Sequence, residues 1–167
     1  MSIKGLVITP ASWPYLRAQN GNGEGRALKS LEDNPKAWAA AYVDKLLAQY
    51  RNVAPWLPDN CANTLDVGGG MGGIHIVLSS YYVRSGAPPS VWLLDGQDDQ
   101  PTMELHRETF SNASVAREFL SANGVKHVNS ISPAGEVFDK TDTMPQRFGL
   151  VLSFGAWCFH VEPSVYL

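Results

Sequence analysis

Residues 64–73 read Thr-Leu-Asp-Val-Gly-Gly-Gly-Met-Gly-Gly, and few stretches leave a chain so little choice of fold. An apolar run enters a cluster of glycines. A run able to form a helix, Ile74, His75, Ile76, Val77 and Leu78, leaves it. Glycine accepts φ > 0 and carries no Cβ, so a strand can turn sharply into a helix there, and the first amides of that helix can approach a ligand closely. The acid Asp66 stands two residues ahead of the first glycine. The stretch is expected to hold a nucleotide-like cofactor.

The rest of the chain alternates around this turn. Asn34 and Pro35 read as a helix start, because asparagine caps and proline is tolerated at the first helical position. Ala37, Trp38, Ala41, Tyr42, Leu46 and Tyr50 then recur at three- and four-residue steps, which predicts an amphipathic helix ending before Pro55. Apolar runs predict strands over 64–67, 90–94, 125–131 and 148–153, with helices over 72–83 and 112–122, the second stopped by Gly124. Strands alternating with helices imply right-handed crossovers and a mostly parallel sheet. The expected fold class is therefore α/β: a Rossmann-like parallel sheet of about four strands with an N-terminal helical extension. Residues 1–58 form the N-terminal segment and its helix, and residues 59–167 the cofactor-binding domain. Residues 1–33 read as irregular. Within them Trp13, Pro14 and Tyr15 form an aromatic knot that packs or acts as a lid. The three-glycine stretch 19–26 reads as a polar surface loop, with a mobile cover over a site as the alternative. Residues 97–107 and 132–146 read as loop and turn, and 161–167 as the start of another helix.

Composition limits what such a chain does. With 44% apolar and 17% charged residues in 167, it buries a real core. A net charge of −3 argues against a surface that coats nucleic acid. No segment approaches the roughly 20 apolar residues of a membrane span, and the apolar part of the N-terminus is too short for a signal peptide. A soluble, cytoplasmic protein is expected. Cys61 and Cys158 form no C-x-x-C pair, so they give no zinc signature and no disulfide framework. Asp95, Asp98 and Asp99 invite a metal reading, but further matched ligands are lacking and no metal is expected.

Two cofactor classes fit the glycines. Gly68, Gly70 and Gly73 satisfy the dinucleotide pattern G-x-G-x-x-G. Gly68, Gly70 and Gly72, with Asp66 ahead, satisfy D-x-G-x-G-x-G. Asp66 tips the balance: a carboxylate opposes an anionic pyrophosphate and welcomes a cationic amino group. S-adenosylmethionine carries such a group.

On these residues the chain resembles the class I S-adenosylmethionine-dependent methyltransferases, whose first motif is an acid-x-Gly-x-Gly-x-Gly turn. The resemblance covers residues 60–167. It implies that Asp95, at the end of the second strand, binds the ribose hydroxyls, with two acceptor oxygens facing two vicinal hydroxyls. Gly96 and Gln97 then border the adenine. The third strand end, at Asn129 or Ser130, also lies near the adenine in this family, although no acid matches there. Ser153 and the loop to His160 face methyl donor and acceptor. The run Leu-Ser-Phe-Gly-Ala-Trp-Cys-Phe-His, residues 152–160, and the first motif are similar to stretches of sugar O-methyltransferases. An alcohol acceptor benefits from a general base, and His160 is the candidate, with a structural histidine as the alternative. Trp157 and Phe154 either line the acceptor pocket, where an aromatic face can steady the sulfonium, or pack in the core. His75, at the helix start, reads as a packing or surface residue ahead of a ligand-binding one.

The family's sheet has seven strands in the order 3-2-1-4-5-7-6, and this chain ends just after the fourth. A fragment, or a partner chain that completes the sheet, is expected, because a bare apolar strand edge invites pairing; a homo-oligomer or another cap along that edge follows. The function expected is O-methylation of a small molecule such as a sugar. The alternatives are an NAD-dependent oxidoreductase and a partial, non-catalytic assembly domain.

Overall fold

The computed structural model describes residues 3, 5–20, 26–94, 112–131, 145 and 147–154. Four parallel strands form one sheet: β1 (Asn63–Val67), β2 (Ser90–Leu94), β3 (Val128–Ile131) and β4 (Leu150–Leu152). Their order is β3-β2-β1-β4. The helices are α1 (Trp13–Asn20), α2 (Arg26–Lys29), α3 (Pro35–Val53), α4 (Ile74–Ser85) and α5 (Ala113–Ala122), with a 3-10 turn over Ala54–Trp56. The α/β class with a Rossmann-like parallel sheet and N-terminal helices is thus the one observed. The sheet grows outward from β1 through β2 to β3, then returns to β1's other side with β4. In open α/β sheets such a reversal leaves a crevice at the carboxyl ends of the strands. The glycine turn lies there.

Alternation along the strands sorts the core into faces. Val91 and Leu93 join a large cluster with Leu16, Trp38, Tyr42, Leu46 and Phe119 from the helices. Val67, Trp92, Leu94 and Ile131 point to the other face, packed by Leu65 and Phe148. Thr64 and Asp66 therefore share the helix-covered face of β1. The register sets Asp66 beside Leu93 on one side and Leu152 on the other. A third cluster, Cys61, Ile74, Leu78, Tyr82 and Leu152, seats α4 along its length against the β4 side of the sheet.

The helix ends follow their sequence signals. The Asn34 side chain caps α3 by accepting from the Ala37 amide at 3.2 Å, with Pro35 opening the helix. Asn112 caps α5 by accepting from the Ser114 and Val115 amides. That helix stops where Gly124 turns to φ 86, the Val125 amide reaching back to Leu120 and the Gly124 amide to Ser121. This pairing is a Schellman stop. It explains why β3 begins at Val128 rather than at the expected Val125: the Val125 amide is spent on the helix.

Residues 1–33 depart from the irregular reading. Thr9 and Ser12 exchange side-chain to main-chain hydrogen bonds, and α1 follows directly. Trp13 meets Trp38 edge-on at 5.0 Å, and Trp38 stacks on Tyr42 at 5.0 Å. Such pairs contribute about 0.5–1.5 kcal/mol beyond burial. Of the two readings of Trp13, packing is the one seen. The stretch 19–26 is also not wholly a surface loop. Gln19 and Asn20 close α1, Asn20 being 5% exposed, and α2 starts at Arg26; residues 21–25 lie outside the described residues.

Candidate functional site

β1 delivers its chain to the carboxyl edge of the sheet, where the Gly68 amide donates to Leu94 O at 2.7 Å and so continues the pairing with β2 for one residue. The backbone then leaves the sheet through three left-handed residues: Gly68 at φ 65, Gly70 at φ 55 and Gly72 at φ 66. An L side chain is strained at such angles. The Gly72 amide bonds Gly69 O at 2.8 Å, closing the turn, and α4 begins at Ile74. Among the described residues, no acceptor meets the amides of Gly69, Gly70, Gly73 and Ile74. A cluster of such donors at a helix start suits an anionic group.

The chain's own side chains also crowd this turn, which the sequence did not suggest. A Cβ on Gly70 would lie 2.7 Å from Gln19 Oε1, and one on Gly69 2.6 Å from Asp66 Oδ2. A Cβ on Gly73 would overlap the Tyr42 hydroxyl. The glycines are thus required as much by neighbours beneath and beside the turn as by any ligand above it. Gly73 itself has φ −52, which any residue adopts. What bars a side chain there is α3, through Tyr42 and Leu46, and not a strand.

Asp66 is 1% exposed and His75 is fully buried. His75 Nε2 donates to Asp66 Oδ2 at 3.1 Å, tying the first turn of α4 to β1 across the glycines. His75 is thus a buried partner of Asp66, not a surface residue. The second carboxylate oxygen, Oδ1, is enclosed without a partner, as is His75 Nδ1. Thr64 Oγ1 and Ser79 Oγ are in the same condition; they lie two residues along β1 from Asp66 and four along α4 from His75, on the same facing rows. Tyr42 completes the surroundings. Burial, with the Asp66 charge nearby, pushes its phenol well above the ordinary value near 10, so it stays protonated at any physiological pH.

Gln19 also meets the turn, brought by α1 from more than fifty residues upstream. Its Oε1 accepts from the Met71 amide at 3.1 Å, and its Nε2 is enclosed without a partner. Periodicity does not reveal this residue, nor Tyr42 as a neighbour of Gly73. The signal for α1 itself was present in Ser12 and Pro14, a capping type beside a residue suited to a first turn.

The sequence-derived candidates fall into four groups. Asp66, Gly68, Gly70 and Gly72 are together at the turn. Ser153 follows β4 directly, one residue beyond the Asp66–Leu152 pair, with Phe154 next and 36% exposed, so both stand at the same edge. Ser130 belongs to β3, two strands away, paired in register with Leu93, and its Oγ accepts from Arg117 at 3.4 Å. Asp95, Gly96, Gln97, Trp157 and His160 lie outside the described residues. Among the described residues, no three of His, Cys, Asp or Glu gather as metal ligands, and no helix is long and apolar enough to cross a membrane. No protein-family model, no curated protein and no solved structure matches the chain, so what the site does has to be read from its own chemistry.

Proposed function

We propose that the protein is an S-adenosylmethionine-dependent methyltransferase acting on an oxygen of a small molecule such as a sugar. One observation carries the reading: the glycine turn sets a buried carboxylate with one unpartnered oxygen beside amides that lack acceptors. Such a pair of opposite preferences suits a zwitterion. Asp66 Oδ1 would take the ammonium group, and the turn amides the carboxylate, of the cofactor's amino-acid end. The left-handed positions also favour it over the dinucleotide pattern. They fall on Gly68, Gly70 and Gly72, the three of the acid-led motif. Gly73, third of the dinucleotide set, is held by α3 and not by the close helix–strand approach that motif requires.

When bound, S-adenosylmethionine supplies an electrophilic methyl group on a good leaving group. What remains for the chain is to hold, orient and keep water away. His75 fixes one edge of the Asp66 carboxylate and so aims the other. Asp95 would hold the ribose, with Gly96, Gln97 and Ser130 toward the adenine. Ser153, Phe154 and Trp157 would border the acceptor, and His160 would take the proton that its hydroxyl loses. The reading includes a cytoplasmic location. It also includes a second copy or another chain over the outer edge of β4, where Val151 is 48% exposed.

Calorimetry on the full chain with S-adenosylhomocysteine and with NAD tests the proposal. Saturable binding of the first and none of the second is expected. Saturable NAD binding without the first would replace the reading with an oxidoreductase.

A further inference from the structure

The Gln19 side chain has one half used and one half left over. The Met71 amide is a donor, so the carbonyl of the side-chain amide must face it, and the network itself fixes which atom is Oε1. The NH2 group lies against the same turn, 2.8 Å from where a Cβ on Gly70 would stand, enclosed and without an acceptor. Leaving a buried donor unsatisfied is costly, and it is an unusual feature for a residue whose helix is otherwise well seated. The end of α1 is held by Lys45 Nζ donating to Asn20 Oδ1. The Arg17–Glu32 ion pair at 3.2 Å ties its middle, and the Trp13–Trp38 contact its start. Gln19 is thus presented to the turn by a fixed support.

Its neighbours share its preference. The amides of Gly69 and Gly70 are donors that meet no acceptor among the described residues, and Gln19 packs directly against Gly70. Donors on adjoining residues that meet no acceptor among the described residues suit an anionic, oxygen-bearing group. The Asp66 carboxylate packs against Gly69, the very next residue, with an acceptor to spare. Adjoining preferences for an anion and a cation match an α-amino acid, which carries both charges on one carbon.

We propose that Gln19 is a cofactor-binding residue whose side-chain NH2 donates to the carboxylate of the cofactor's amino-acid end, making α1 part of the binding site. The inference rests on the methyltransferase reading and extends it to a segment 52 residues ahead of the glycine turn. Gln19 then sets specificity: it favours ligands that keep the amino-acid end over those that end at the thioether.

Calorimetry on the full chain and two variants separates the outcomes, with S-adenosylhomocysteine and 5′-methylthioadenosine as probes. The second probe keeps the nucleoside and the thioether but has no amino-acid end. In Gln19→Glu the new carboxylate still accepts from Met71 but opposes the ligand's own, so affinity for S-adenosylhomocysteine should fall about tenfold or more. Gln19→Ala should give a smaller loss of the same kind. Affinity for 5′-methylthioadenosine should stay within about twofold in both, which also reports that the variants fold. Equal losses for the two probes would mean that Gln19 only packs, and unchanged affinity for S-adenosylhomocysteine would remove it from the site; either overturns the proposal while leaving the methyltransferase reading intact. No binding of S-adenosylhomocysteine by the wild-type chain would overturn both.

Discussion

The two ends of α4 bury similar chemistry to opposite effect. At its last turns Tyr82 donates its hydroxyl to Pro58 O at 3.2 Å, and the Cys61 thiol donates to Asn63 O at 3.2 Å. The chain's own carbonyls absorb these polar groups. At the first turn Asp66, His75 and Gln19 each use one polar atom within the chain and leave another enclosed without a partner. The two regions are comparably buried, so burial does not explain the difference. At the lower end Tyr82 and Cys61 are satisfied because main-chain carbonyls stand nearby, although Thr64 Oγ1 and Ser79 Oγ, farther along β1 and α4 from the turn, are also enclosed without partners. The upper end lies where strands stop and the backbone turns away, so main-chain partners run out. A region that keeps unsatisfied groups at a strand-end crevice is prepared for something from outside.

The contrast is tested most strongly with glycines. A Cβ at Gly73 would overlap the Tyr42 hydroxyl, whereas one at Gly149, at the lower end, would meet Cys61 Sγ at 3.1 Å. Gly73→Ala should destabilise by about 1–3 kcal/mol, as overpacking does, and Gly149→Ala by about 1 kcal/mol or less, because a thiol gives way more readily than a locked phenol. Urea unfolding measures both. Tyr42→Phe in the Gly73→Ala background should return part of the loss; no recovery would mean that Tyr42 is not the obstacle.

A second pair of substitutions separates binding from stability. Asp66→Asn should weaken S-adenosylhomocysteine binding by about 1–3 kcal/mol, the cost of removing a charged partner. Tyr82→Phe should cost about 0.5–1.5 kcal/mol of stability and leave that affinity untouched. If Tyr82→Phe weakened the ligand as much as Asp66→Asn, the two ends would not differ in kind.

The smallest effect appears at alkaline pH. Burial pushes the Tyr82 phenol up to about 12 from an ordinary 10. The unfolded chain then gives up this proton before the folded one does. The stability that Tyr82 contributes is full below pH about 10 and is lost as pH rises toward about 12. Tyr82→Phe should flatten that decline in unfolding curves measured between those values. An unaltered slope would show that the phenol titrates as if exposed.

Much of the fold was legible because its signals are local. The α3 cap at Asn34, the strand over residues 90–94 and the glycine turn each depend on residues within a few positions of one another. The strand order 3-2-1-4 agrees with the parallel sheet expected from alternation, though dinucleotide-binding sheets share it. The site was legible only as far as the motif runs. Asp66 and the glycines could be named from spacing, but what holds them could not. His75 meets Asp66 across a turn, Tyr42 reaches Gly73 from another helix, and Gln19 arrives from a segment that looked irregular. Such contacts are made by tertiary packing, and no periodicity encodes them. That packing also revises the role of the glycines. Missing side chains at Gly69, Gly70 and Gly73 make room for Asp66, Gln19 and Tyr42, so part of what looked like a ligand cradle is the seat of the chain's own residues.

The central claim is that the spare oxygen of Asp66 receives a ligand's ammonium group at this turn. A crystal structure of the full chain grown with S-adenosylhomocysteine tests it most directly. The account predicts ligand density along residues 66–73 with the amino nitrogen about 3 Å from Asp66 Oδ1. Density lying elsewhere, or an amino group turned away from Asp66, would contradict it.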